Sequence, residues 1–189
     1  MEILPQLLVN ALITGSIYAL ASSGLALTYG MMRILNFAHG HLMMISAYFF
    51  LYWSTSAGLS ELASSGLTLL SVVLLALVAF TVFIYPFLEL SYLISFVTTL
   101  SLAIILESGA SITWGVNVKA LSTGDLPLNY LFYGIYITPI QIIIIVSAFI
   151  VLTALAIVIH LTALGRRIRA LTEHPKGAQA IGINNTLLR

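Results

Sequence analysis

Glu107 is the residue whose position calls most directly for chemistry, because it is the only acid well inside a long apolar run. A carboxylate in hydrocarbon is costly and normally faces a bundle interior or a watery cavity. At about 100° per residue, Ser101, Glu107, Ser108 and Ser111 fall within about a third of a helix circumference and form one polar stripe. Two readings stand side by side. In one the stripe lines a path for a polar solute. In the other Glu107 is protonated or hydrogen-bonded and supports helix packing.

The stretch Asn36-Phe37-Ala38-His39-Gly40-His41 is the next most unusual. Asn36 can cap a helix by accepting backbone N–H bonds, and Gly40 permits close backbone contact. His39 and His41 are two apart and point in different directions on a helix. With no cysteine in the chain and no carboxylate nearby in sequence, they make a poor metal pair. Asn36, His39 and Gly40 therefore read as a helix-entrance motif with a structural or conformational role, and no metal site is expected.

Small residues form a third pattern. Ala11, Gly15, Ala19 and Ser23 share one helix face, with Ser22, Ala26 and Gly30 in a row beside it. In lipid, small residues let another helix approach closely. The row either lines a tightly packed translocation path or simply packs. Near the C-terminus, Pro175 can open a short helix and Gly182 can close it. That helix is either a docking knob for a soluble partner or part of a solvated basic connector. His160, Arg166, Arg167 and Arg169 precede it and suit anionic lipid head groups.

The elements that must hold these residues follow from composition. Of 189 residues, 60% are apolar and 7% charged, against about 25% charged in soluble domains. The mean hydropathy is +1.10. Such a chain is neither an ordinary soluble fold nor a disordered one. Its net charge of +1 gives no case for nucleic acid. Five stretches approach the ~20 apolar residues that cross a bilayer: Gln6 to Gly30, Phe37 to Trp53, Leu67 to Leu88, Tyr92 to Trp114 and Ile137 to Leu161. The expectation is an all-α polytopic transmembrane bundle over 1–162, followed by a cytoplasmic segment over 163–189. Val116 to Thr138 reads as an outer loop lying against the interface.

Basic residues orient the spans. Alternation places Arg33, Arg166, Arg167, Arg169, Lys176 and Arg189 on one side and Lys119 alone on the other. The N-terminus is then outside and the C-terminal segment cytoplasmic, with Trp53 and Trp114 at the outer interface. The chain has no phosphate loop, no G-x-S-x-G, no H-E-x-x-H and no dinucleotide fingerprint. No enzyme is expected, and if transport is ATP-driven the ATPase must be another chain.

Gly15-Ser16-Ile17-Tyr18-Ala19-Leu20, Gly24-Leu25-Ala26-Leu27-Thr28-Tyr29-Gly30 and Asn36-Phe37-Ala38-His39-Gly40 together resemble the opening of LIV-type permeases. Ile104-Ile105-Leu106-Glu107 and the stretch from Gly165-Arg166-Arg167 to Gly182-Ile183-Asn184 match that family in order. These are membrane subunits of bacterial ABC importers for branched-chain amino acids, with relatives for urea and short amides. The resemblance implies a multi-pass subunit of the bacterial cytoplasmic (inner) membrane. It implies a second permease subunit as homo- or heterodimer, nucleotide-binding ATPase subunits and an extracytoplasmic solute-binding protein. No cofactor is expected in this chain, since ATP belongs to the partner. The segment with Glu173, Pro175, Lys176, Ala178 and Gly182 resembles the coupling helix that docks into the ATPase.

The chain departs from the family at Pro86-Phe87-Leu88-Glu89-Leu90, where basic residues are usual, and at Lys176 and Gly177, where Glu and Ala are usual. Family members also continue past the position of Arg189 with further glycine-rich spans. A fragment, a split gene product or a degenerate copy would look like this. The rival readings are an ATP-independent channel or secondary transporter with Glu107 as its proton or cation site, and a truncated, non-transporting membrane subunit.

Overall fold

The computed structural model describes residues 3–32, 34–87, 91–119, 130–132 and 135–173. Helix dominates: α1 is Ile3–Met32, α2 His39–Leu51, α3 Glu61–Ala79, α4 Tyr92–Trp114, α5 Pro139–Leu161 and α6 Ala163–Glu173. Among the described residues, four helical stretches are long and apolar enough to cross a membrane: Ile3–Gly30, Glu61–Phe87, Tyr92–Trp114 and Pro139–Leu161. The all-α membrane bundle expected from composition is what the chain forms.

The second expected span takes a different shape. α2 has 13 residues, about 20 Å of helix, and runs on into a π-helical turn, Tyr52–Ser56. Its start is set by a turn over Asn36–Ala38 that leaves Phe37 outside the helix. α3 starts at Glu61, earlier than the expected Leu67, with Ser60 extended before it. Glu61 in the first turn suits the positive end of the helix dipole. Toward its end α3 passes through a π-helical turn, Phe80–Ile84, and a 3₁₀ turn, Tyr85–Phe87. Pro86 explains the change, since its nitrogen cannot donate to the helical ladder and its ring crowds the preceding turn.

α4 occupies the expected Tyr92–Trp114 and stops at Gly115, whose φ of 81° is left-handed. α5 opens with a reciprocal cap. Thr138 Oγ1 accepts from Gln141 N–H at 3.3 Å, while Gln141 Oε1 accepts from Thr138 N–H at 2.9 Å. Pro139 follows at the first helical position, where its missing donor has no cost. In the segment read as an outer loop, β1 (Tyr130–Phe132) and β2 (Ile135–Ile137) pair antiparallel, Tyr130 opposite Ile137.

The chain divides into two compact units, Met1–Arg33 with Asp125–Arg189, and Ile34–Gly124. In the first, α1 packs on α5 and α6 packs on both. Gln6 fastens the hairpin to α1: its Oε1 accepts from Tyr136 N–H at 2.8 Å and its Nε2 donates to Tyr136 O at 3.2 Å. That contact brings the start of α1 to the start of α5, so the two helices run parallel.

In the second unit α2 packs on α3 and α4. Its core joins Ala38, Ile45, Ala79, Leu102, Ala103 and Leu106, with Leu42, Met44, Phe49, Leu75 and Phe83 around them. Most large apolar side chains elsewhere are exposed, Phe149, Ile150, Leu69 and Leu93 among them. Lipid tails are as apolar as such side chains, so helices in a bilayer associate through dispersion and polar contacts.

Candidate functional site

The site is built on α4, whose side chains divide cleanly. Ser95, Thr99, Leu102, Ala103, Leu106 and Ala110 are buried and follow the i, i+4, i+7 spacing of one face. Ser101, Glu107, Ser108 and Ser111 are all exposed and lie around the opposite side. The stripe read from the sequence is thus the open face of a helix whose other face is packed.

Glu107 sits at the edge between the faces and meets α2. Its Oε2 lies 3.6 Å from His41 Nε2, with the Glu107 side chain 64% exposed and that of His41 32%. Among the described residues, His41 Nδ1 is buried without a hydrogen-bond partner. No carboxylate stands near the histidines along the chain; folding supplies one from a distant helix. The pair has a clear structural cause. His41 with Glu107, and Tyr48 with Trp114, stacked at 5.1 Å, are equally far apart in sequence. α2 therefore runs parallel to α4 and begins beside its second half.

The turn before α2 fixes that level. Thr99 Oγ1 shares its proton between Phe96 O of its own helix at 3.0 Å and Leu35 O at 3.3 Å, and Phe37 meets Phe96 edge-on at 4.8 Å. Asn36 Oδ1 accepts from Ala38 N–H at 3.1 Å, and Asn36 O accepts from His39 N–H at 3.2 Å. Asn36 thus shapes the turn, while Ala38, fully buried, occupies the N-cap position without a side-chain cap. His39 is half-buried. Gly40 is exposed, and nothing lies within 4 Å of where a Cβ would stand. The close backbone contact expected there is absent among the described residues.

One hydroxyl of the stripe has a direction: Ser101 Oγ donates to Val97 O at 2.9 Å, which commits its proton and leaves lone pairs outward. Beside it and Glu107 stand the exposed hydroxyls of Ser108 and Ser111, which can donate or accept. The open face of α4 is thus polar in both senses and suits a solute that carries donors and acceptors. On the same unit, a groove of about 290 Å³ is lined by Met44, Ala47, Tyr48, Leu51 and Lys119.

On α1, Gly15 is exposed, and a Cβ added to it would meet nothing within 4 Å. Ala19 and Ser23 are half-buried, and Ser23 Oγ donates to Leu20 O at 2.8 Å. At Gly15 the small-residue row is not closed upon by another helix among the described residues. Glu173 ends α6; Pro175, Lys176, Ala178 and Gly182 lie outside the described residues. Among the described residues, no group of three His, Asp or Glu side chains could hold a metal ion.

The chain is helical, has helices apolar enough to cross a membrane and carries an open polar face on one packed helix, and its relatives are membrane permeases. Residues 7–189 match the family described as the branched-chain amino acid transport system permease component, and the chain belongs to that family. It is 31% identical over 193 residues to the high-affinity branched-chain amino acid transport system permease protein BraD of Pseudomonas aeruginosa. It is 27% identical to the LivH permease proteins of Salmonella typhimurium and Escherichia coli. Each match covers 95% of this chain and 62% of the relative, so the chain spans about three fifths of the curated relatives it matches. No solved structure matches the chain.

Proposed function

We propose that this chain serves as a membrane permease subunit of an ATP-driven importer, carrying branched-chain amino acids or a related small polar solute such as urea or an amide. Family membership supports the class, and the open polar face of α4 carries the assignment of a path. Ser101, Glu107, Ser108 and Ser111 line it. Glu107 meets the solute's donor groups, and His41 holds the carboxylate at the edge of the stripe. Residues 1–162 form the membrane part in the inner membrane, with the N-terminus outside. Residues 163–189 lie in the cytoplasm, where Glu173, Pro175, Lys176, Ala178 and Gly182 engage the ATPase.

ATP is bound and hydrolysed in that partner, whose motion shifts the spans between inward and outward access. A second permease subunit and an external solute-binding protein complete the assembly. Affinity purification of the full-length product from native membranes tests the reading. Recovery of a nucleotide-binding subunit supports it, and repeated recovery of the permease without one contradicts it. The His41–Glu107 pair also favours a second reading, a proton-linked transporter. In that case uptake follows an imposed pH gradient without ATP and stops in Glu107→Gln.

A further inference from the structure

The junction of α5 and α6 is a corner with no slack. A single residue, Thr162, joins Leu161 at the end of α5 to Ala163 at the start of α6. Gly165 is buried, and a Cβ there would stand 2.5 Å from both the Ile159 carbonyl carbon and the Val158 carbonyl oxygen, closer still to Ile159 O. These are backbone atoms of α5 and cannot swing aside as the tip of a side chain would.

Polar contacts lock the same corner. Thr162 Oγ1 donates to Val158 O and accepts from Gly165 N–H at 3.2 Å, capping α6. Arg169 Nη2 donates to His160 O at 3.4 Å, and Arg169 Nη1 lies 3.2 Å from His160 Nδ1. Arg166 Nη1 donates to Leu161 O at 3.5 Å. Of the last carbonyls of α5, which have no partner in their own helix, those of His160 and Leu161 accept from arginines of α6 and that of Val158 from Thr162. The basic cluster has a job beyond orientation or lipid contact.

We propose that Gly165, with Arg169 hooked onto His160, makes the α5–α6 corner a fixed elbow that sets where the segment following α6 meets the ATPase. Gly165 and Arg169 are then positioning residues for coupling. This rests on the importer reading above. A stiff elbow passes a displacement of α6 directly to α5, whereas a loose one absorbs it.

The chain has no cysteines, so nitroxides at Ile150→Cys on α5 and Arg167→Cys on α6 report the corner angle in the complete permease with its partner subunits. Gly165→Ala shifts or broadens the distance distribution. It also raises the ATP hydrolysed per solute imported by about tenfold, a coupling loss of ordinary size, while the permease level in the membrane holds. Arg169→Ala broadens the distribution less, and Arg169→Lys restores part of the coupling. These two carry the test if Gly165→Ala fails to accumulate. An unchanged distance distribution overturns the elbow. A changed distribution with an unchanged ATP cost overturns the positioning role. A wild-type complex without ATP-linked import contradicts the importer reading instead, and the distance measurement still decides the elbow.

Discussion

Glu107 and His41 show what a membrane interior does to ordinary residues. Neither is buried in the sense of a soluble core, yet each has polar company within reach. The isolation of Glu107 in an apolar run is plain from the sequence, and so is its stripe of serines. Its partner is not, because the pairing depends on where α2 begins along α4. That level is set by the Leu35–Thr99 and Phe37–Phe96 contacts, which join residues far apart in the chain. Glu107→Gln keeps the shape and removes the charge. If the carboxylate meets the solute's donors, the loss of a charged hydrogen bond raises the KM for uptake by about tenfold or more. Unchanged rate and affinity in concentration-dependent uptake would leave Glu107 a packing residue.

The long helices are legible because twenty-odd apolar residues have few alternatives in a bilayer, and α4 has the limits its sequence suggests. The misses fall where local chemistry overrides hydropathy. α2 starts at His39 because the chain turns over Asn36–Ala38, and it gives way to a π-helical turn at Tyr52. α3 changes winding ahead of Pro86. The hairpin at 130–137 is held by main-chain pairing and by Gln6, which no hydropathy pattern encodes. The corner at Thr162 is equally silent, since a glycine beside arginines looks like any flexible connector. The start of α5 offers a direct check on such local terms. Thr138→Ala removes one half of the reciprocal cap and costs about 1 kcal/mol, seen as a lower unfolding temperature in detergent. Thr138→Ser keeps the hydroxyl and most of the stability.

Across the whole chain, seven basic and six acidic residues provide little surface charge, and the large exposed apolar side chains need lipid or partner subunits to cover them. Parallel pairing of α1 with α5, and of α2 with α4, is what alternate crossing of a membrane requires. The bias of Lys and Arg then predicts the direction. With a chain free of cysteine, Arg167→Cys is labelled by an impermeant maleimide only from the cytoplasmic side, and Lys119→Cys only from outside. The reverse pattern would invert the topology.

Uptake by the purified assembly tests whether this chain is part of an ATP-driven import path. The full-length permease product, its ATPase and its binding protein are placed in proteoliposomes with ATP on the nucleotide-binding side. Labelled leucine and labelled urea are offered in parallel. If the chain works in such a path, one of these solutes accumulates only with hydrolysable ATP, and less so in Glu107→Gln. Accumulation that proceeds equally without ATP, driven by a pH gradient alone, would contradict an ATP-driven path.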